Sequence, residues 1–446
     1  MSASASLACN SAFRIGVGER TFATDQTSLD ALERTYQAHR AVPLPVTSTQ
    51  PEPVEFEVIS SVEAFYDLAS DWDELFERCG RPEQLFQKSG WCQAWVETYL
   101  HAEHEAAKSA RRMPDTSLFI VTARRAGRLV MLWPMARSRV SGLWQLGWLG
   151  MPMTQYGDAL LDTENSGEEI LLNAWSFILA NANVSYLHLS NIRATATVAP
   201  LLETVGAVKT VVRSAPFMRF KPDVGYDEYM SRFSSRSRKT RRRKQRKLET
   251  LGTVTFQEVQ PGDTARKAVE DALNAKRKWL HNTGRVGSAI MDTRVDRFFQ
   301  RIADPDIANR IGTRITEVRV DDTLAASDIC FVSDGHLMMH FCVFNNAYEK
   351  MSVGQLLLDY SVRIGLEENL TTYDFLAPAD QYKLDWADDA TDVVDWAYPL
   401  NVMGWIWVRG YLGFARERLK SLQAKMPVRI RQTLVALQRR LSGFTE

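Results

Sequence analysis

The stretch LMMHFCVFNNAYEKMSVGQLLLDYSVRIGLEEN, residues 337–369, carries the switch on which the fold turns. Leu337–Phe344 is a continuous apolar run of strand length. After Asn345-Asn346-Ala347-Tyr348-Glu349-Lys350-Met351 the apolar residues recur at helical spacing, which predicts an amphipathic helix from Val353 to Asn369. Ser352 followed by Gln355 is a capping-box pattern, so the helix is expected to start there. Gly354 falls in the first turn, where a missing side chain leaves the backbone open to a ligand. The first N–H groups of a helix have no internal partners, so such a junction suits an anion of the pyrophosphate kind. By local pattern alone, a simple capped strand-to-helix turn fits as well.

Working outward, the segment before this stretch holds strands Ile315–Val320 and Thr323–Ser333, separated by Asp321-Asp322 and followed by the hairpin signal Asp334-Gly335. Upstream come helix Tyr226–Leu251, strand Val254–Glu258 and helices Ala265–His281 and Arg294–Ala303. Strand Tyr373–Leu376 follows the 353–369 helix. An earlier cycle has the same element order: strand Val54–Val58, helices Val62–Arg78 and Gly90–Leu100, strands Leu118–Arg124 and Leu129–Arg137 about Ala126-Gly127, helix Glu168–Ala182, and strands Tyr186–Leu189 and Ala207–Arg213. The expected architecture is α/β (α+β): two tandem modules, residues 53–213 and 214–400, each a mixed, mostly antiparallel sheet flanked by helices. Before them lies a proline-rich, poorly ordered segment, 1–52, and after them a basic amphipathic helical tail, 401–446.

Composition excludes more than it identifies. The 446 residues are 45% apolar and 24% charged, which is globular rather than disordered. Lys plus Arg and Asp plus Glu both total 54, so net charge points to no partner class. Five scattered cysteines without a CxxC pair argue against a disulfide framework or zinc site, and His336 and His340 lack a third ligand, so no metal is expected. Neither a signal peptide nor a membrane span is read, and the expected location is cytoplasmic.

The order Tyr348, Ser352, Gly354, Leu356-Leu357, Tyr373-Asp374-Phe375-Leu376, Tyr382-Lys383, Trp386 resembles the acetyltransferase domain shared by CelD-type polysaccharide-biosynthesis proteins and FemAB-like enzymes within the GNAT superfamily. Val353 replaces the family's usual proline, and Ala377-Pro378-Ala379 stands where the family has Arg-Gly and an acid. Lys276-Arg277-Lys278-Trp279 with Gly284 and Gly287, and Gly147-Trp148-Leu149-Gly150 with Tyr156-Gly157-Asp158, match other family segments. The resemblance implies two GNAT-like modules and an acyl-CoA co-substrate, acetyl-CoA or a longer acyl-CoA. It places the coenzyme at Lys350, Ser352, Val353, Gly354 and Gln355. A bulge in the strand Leu337–Phe344 would present amides to the acyl carbonyl. Tyr382 becomes the candidate acid for the leaving thiolate, with Asp374 and His340 as further catalytic candidates. Lys383, Trp386, Trp279 and Tyr156 are candidates for holding the acceptor. For each, a packing or capping role is the competing reading. The first module has no matching Ser-x-Gly helix start and no Tyr-Lys tail, so it is expected to shape the acceptor cleft without binding coenzyme.

Two charged segments bear on partners. Ten basic residues and no acid lie between Arg232 and Lys247, a run suited to nucleic acid, a polyanionic glycan, coenzyme phosphates or merely a solvated helix face. Phe233 is the single aromatic inside it, which weakens nucleic-acid binding. From Asn401 onward nine basic residues stand against Glu417 and Glu446, a net +7 behind Trp405, Trp407, Tyr411 and Phe414. Such a helix either docks on its own protein or lies on the anionic inner-membrane surface. The resemblance thus implies acyl transfer, acetyl in the first instance, to an amine or hydroxyl of a sugar or envelope-polysaccharide precursor. Its rivals are FemAB-like transfer from aminoacyl-tRNA and a non-catalytic scaffold of a polysaccharide synthase.

Overall fold

Hairpin turns fix the sheet. Ala126-Gly127, Asp321 and Asp334-Gly335 all have positive φ, the conformation that tight two-residue hairpins demand. They join β2 (Thr116–Arg125) to β3 (Arg128–Val140), β9 (Thr313–Val320) to β10 (Thr323–Ser333), and β10 to β11 (His336–Phe344). The remaining strands are β1 (Val54–Ile59), β4 (Leu143–Trp148), β5 (Leu160–Leu161), β6 (Tyr186–Arg193), β7 (Val208–Arg219), β8 (Val254–Val259), β12 (Thr372–Asp374) and β13 (Asp389–Pro399). The computed structural model describes residues 53–163, 167–221, 223–283, 288–416 and 418. Segment 1–52, Gly284, Gly287 and the tail beyond residue 418 therefore lie outside the described residues.

All strands among the described residues belong to one 13-stranded sheet, ordered β1-β2-β3-β4-β6-β13-β7-β12-β11-β10-β9-β8, with β5 beside β3. The fold is mixed α/β, mostly antiparallel and flanked by helices. Two neighbouring pairs are parallel, β4 with β6 and β11 with β12. The sheet runs through both sequence halves because the halves exchange strands. β13, last in the chain, lies between β6 and β7, and β7 in turn carries β12. Sequence reading ended a strand at Arg213 and began a new cycle near Phe217; a single strand, Val208–Arg219, spans both.

Two helices differ from expectation at their ends. The basic helix begins at Ser235, because Ser234 accepts the Ser237 amide at 3.2 Å as its N-cap and separates it from Tyr226–Ser231. The helix Val353–Glu367 does start where expected, but not by a capping box. Ser352 is left-handed (φ 52°, ψ 47°) and its side chain caps no amide. Buried aromatics hold the helices to the sheet: Phe86, Trp91, Phe298 and Phe331 pack edge-to-face about Trp91, with ring centroids 4.9–5.1 Å away.

Candidate functional site

β11 carries an irregularity at its centre. Phe341 pairs with Ile329 and Met339 with Cys330, so His340 is left without a partner on β10. On its other side, β11 pairs with β12 only from His336↔Thr372 to Met338↔Asp374. Beyond that point β12 ends while β11 continues, and the two part around the bulge. This is the strand in which the bulge was expected.

β11 leads into a short 3-10 turn, Asn346–Met351, and then into the Val353 helix. Gln355 and Leu356 both donate to the Ser352 carbonyl, which leaves the Val353 and Gly354 amides without an acceptor among the described residues. A Cβ on Gly354 would meet nothing closer than Phe344 Cδ1 at 3.9 Å. Packing therefore does not require glycine there; its bare backbone leaves the helix start open. The basic helix Ser235–Glu249 lies alongside, and Lys244 Nζ donates to Ser352 Oγ at 2.5 Å. Arg241 lies 4.1 Å from the Trp386 ring and 4.2 Å from Phe233. Trp386, fully buried, donates through Nε1 to Gln355 Oε1 at 3.1 Å. Ser352, Gln355 and Trp386 are thus brought together, with Lys244 at the helix N-terminus and Arg241 stacked on the Trp386 ring and 3.9 Å from Asp359. Lys350 is exposed on the 3-10 turn.

The other candidates fall into two groups. Asp374 is buried and its carboxylate is fully engaged: it accepts from Tyr156 Oη at 2.9 and 3.0 Å, Arg193 at 2.5 Å and the Leu376 amide at 2.8 Å. Burial, then the Asp374 charge, pushes Tyr156 well above the ordinary phenol value. These side chains form a joint between the halves rather than an open acid–base pair. Lys383 is also committed to structure, donating at 3.0 Å to the carbonyls of Leu376 and Pro378, and burial lowers its pKa. His340 sits among Phe86, Trp91, Phe299 and Phe331. Its Nε2 meets the Met153 carbonyl at 2.7 Å, its Nδ1 is buried without a partner, and burial pushes it down to about 4. The ring is therefore neutral at neutral pH.

Tyr382 belongs to the second group, a polar cluster beside the bulge. Its hydroxyl makes no hydrogen bond to the described residues, and burial, then Cys342 and Asp328, raises its pKa far above normal. Asp328, on β10 opposite Cys342, is 1% exposed, with Oδ1 unpartnered; burial pushes it up to about 6. Lys276 donates to the Cys342 carbonyl at 3.1 Å and stands over the Trp279 ring at 5.0 Å. Sequence reading passed over Asp328. Its signal was available: an acid inside the apolar run Ala325-Ala326-Ser327-Asp328-Ile329-Cys330-Phe331 needs a reason to be there. The described residues hold no group of three or more His, Cys, Asp or Glu able to bind a metal.

The corresponding opening of the first half is closed by its own chain. The β4–β6 pairing stops at Leu146↔Leu187, and Trp148 Nε1 then donates to the Ser190 carbonyl at 2.8 Å. Gly157 lies against that indole, where any Cβ would stand 2.0 Å from Trp148 Nε1, and its amide bonds the Asn191 carbonyl.

Residues 235–384, about a third of the chain, match the family model described as an acetyltransferase (GNAT) domain. The match runs from the basic helix to Tyr382-Lys383. Among solved structures, the chain is similar to FemX at 10% identity and a TM-score of 0.51, covering 76% of this chain and 98% of that one, a likeness of fold. It is also similar to L-PGS from Bacillus licheniformis (13% identity, TM-score 0.45, 82% and 99% covered). A tandem GNAT protein from the clavulanic acid biosynthesis pathway is a third such structure (11% identity, TM-score 0.43, 78% and 99% covered). No curated protein sequence matches the chain.

Proposed function

We propose that this protein transfers an acyl group from an acyl-CoA, acetyl-CoA in the first instance, to an amine or hydroxyl of a sugar or envelope-polysaccharide precursor. The observation that carries the reading is the opening of β11 from β12 at the His340 bulge, directly before a helix start with two free amides and Lys244 beside it. Acyl-CoA brings an activated thioester and three phosphate groups. In this reading the Val353 and Gly354 amides and Lys244 hold the pyrophosphate, and Lys350 contributes from the rim. Tyr382 stays protonated and donates to the departing thiolate. Asp328, ionised above about pH 6, accepts the acceptor's proton directly or through one water. Tyr156, Asp374 and Arg193 position the end of β12, and the first half, its own opening filled by Trp148, lines the acceptor side. Trp279 and Trp386 flank the site as rigid walls. The polysaccharide context rests on the CelD-like motifs.

A second reading has one observation in its favour. Arg236, Lys239, Arg242, Arg243, Arg246 and Lys247 face solvent on the basic helix, and none pairs with a carboxylate among the described residues. That face suits the backbone of an aminoacyl-tRNA donor. Calorimetry with acetyl-CoA separates the two. Micromolar binding by the wild type, abolished in a Gly354→Trp variant that keeps its melting temperature, supports the acyl-CoA reading, since a Cβ at Gly354 meets nothing closer than 3.9 Å. Absence of binding to acetyl- and longer acyl-CoAs, with activity dependent on charged tRNA, overturns it.

A further inference from the structure

The last described helix has two apolar sides. Asn401 caps it by accepting the Gly404 amide at 2.8 Å, and Val402–Trp405 continues into the π-helical Ile406–Ala415. One side docks on the sheet through Gly404, Val408 and Leu412, spaced four residues apart. Gly404 approaches so closely that a Cβ would lie 1.8 Å from the Ser185 carbonyl oxygen. Val408 and Leu412 are buried in a cluster with Tyr186 and Ala397. Having buried that side, an ordinary surface helix would turn polar groups outward. This one does not: Val402, Met403, Ile406 and Phe414 are 62%, 57%, 54% and 58% exposed, with Trp405 and Tyr411 also open to solvent.

We infer that this face is a peripheral membrane contact, lying in the headgroup region of an anionic bilayer. The composition selects the occupant. From Asn401 to Arg416 the sequence contains Arg409 and Arg416 and no acid. Arg418 stacks 3.8 Å from the Phe414 ring, which puts a cation at the edge of the apolar face. Lys420, Lys425, Arg429, Arg431, Arg439 and Arg440 follow in the sequence, and Glu417 and Glu446 are the two acids from Asn401 onward. Apolar and aromatic side chains bordered by the exposed Arg409 and Arg418 suit the acyl–headgroup boundary and its negative charge. No helix among the described residues is long and apolar enough to cross a membrane, so the contact is with the surface. The inference does not depend on the acyltransferase reading.

The test is co-sedimentation of the full chain with phosphatidylcholine vesicles, with and without phosphatidylglycerol. Wild type binds the anionic vesicles and only weakly the neutral ones. A Met403→Glu, Ile406→Glu, Phe414→Glu variant, altered at exposed positions, keeps its melting temperature and binds at least about tenfold more weakly. Arg409→Ala with Arg418→Ala, both at exposed positions, erases the preference for anionic lipid. Failure of wild type to bind anionic vesicles, or triple-variant binding equal to wild type, overturns the proposal. So does a wild-type dimer that the triple variant converts to monomer without any lipid dependence, which assigns the face to a second copy.

Discussion

The Tyr156 hydroxyl of the first sequence half donates to both carboxylate oxygens of Asp374 in the second, across 218 residues of sequence. Arg193 completes the unit, paired with Asp374 at 2.5 Å and stacked 4.8 Å from the Tyr156 ring. Tyr156→Phe removes a hydrogen bond to a buried charge, and its expected cost is about 1–3 kcal/mol in urea unfolding. Asp374→Ala is expected to cost more, about 3–5 kcal/mol, because it strands the Arg193 guanidinium in a buried site. Equal and small losses for the two variants would show that the joint is dispensable.

Lys244 reaches Ser352 from the basic helix, so its charge lies at the start of the Val353 helix. Lys244→Ala is expected to weaken acetyl-CoA binding about tenfold, the loss shrinking as salt is raised. Arg236→Ala, on an exposed position of the same helix, is the control and leaves binding unchanged. If Arg236→Ala weakened binding as much as Lys244→Ala did, a diffuse field rather than a local contact would be at work.

Residues 337–369 allowed the strand and the helix start to be read because each rests on local rules, apolar run, periodicity and turn chemistry; the bulge in that strand was implied by the family resemblance alone. The hairpins at Ala126-Gly127 and Asp334-Gly335 were legible for the same reason. What local rules do not carry is strand exchange. Nothing in Asp389–Pro399 says that it pairs with Tyr186–Arg193, far back in the chain. The site shows the same division. Ser352, Gln355 and Trp386 do converge, but Ser352 adopts a left-handed backbone and gives its hydroxyl to Lys244, while Trp386 takes the Gln355 side chain. Tertiary partners outcompeted the local cap. Asp374, Lys383 and His340 were legible as polar residues in the right segments, yet their engagement depends on Tyr156, Leu376 and Met153, partners that spacing does not reveal.

Asp328 gives a pH dependence of defined sign. Burial lifts it from 3.8 to about 6, so the folded state prefers the protonated acid. Its contribution to stability is complete below pH 3.8 and is lost as pH rises through about 6, a difference of roughly 3 kcal/mol. Asp328→Asn, which cannot ionise, is expected to be more stable than wild type at pH 8 and to lose that advantage near pH 4. Chemical unfolding at the two pH values checks this. The same variant is expected to flatten the acid limb of the acyl-transfer pH–rate profile near pH 6, an effect that packing alone would not produce. An unchanged profile with reduced stability would make Asp328 a structural residue only.

His340 has the opposite sign. Burial among four aromatic rings pushes its pKa down from 6.5 to about 4, so the folded state prefers the neutral ring. Its contribution to stability is complete above pH 6.5 and is lost as pH falls through about 4. Between those values Asp328 gains and His340 loses, so the wild-type profile conceals both; the single variants separate them. His340→Phe removes the titration and one hydrogen bond to the Met153 carbonyl. At pH 7 it is expected to be about 1–2 kcal/mol less stable than wild type, from the unsatisfied carbonyl. At pH 4.5 that deficit is expected to vanish or reverse, because wild type alone then disfavours a proton on a buried imidazole. A constant deficit across both pH values would mean that His340 reaches solvent readily enough to titrate normally. A ring that titrates normally is also one that serves as a base at the bulge, and the proton-accepting role would then pass from Asp328 to His340.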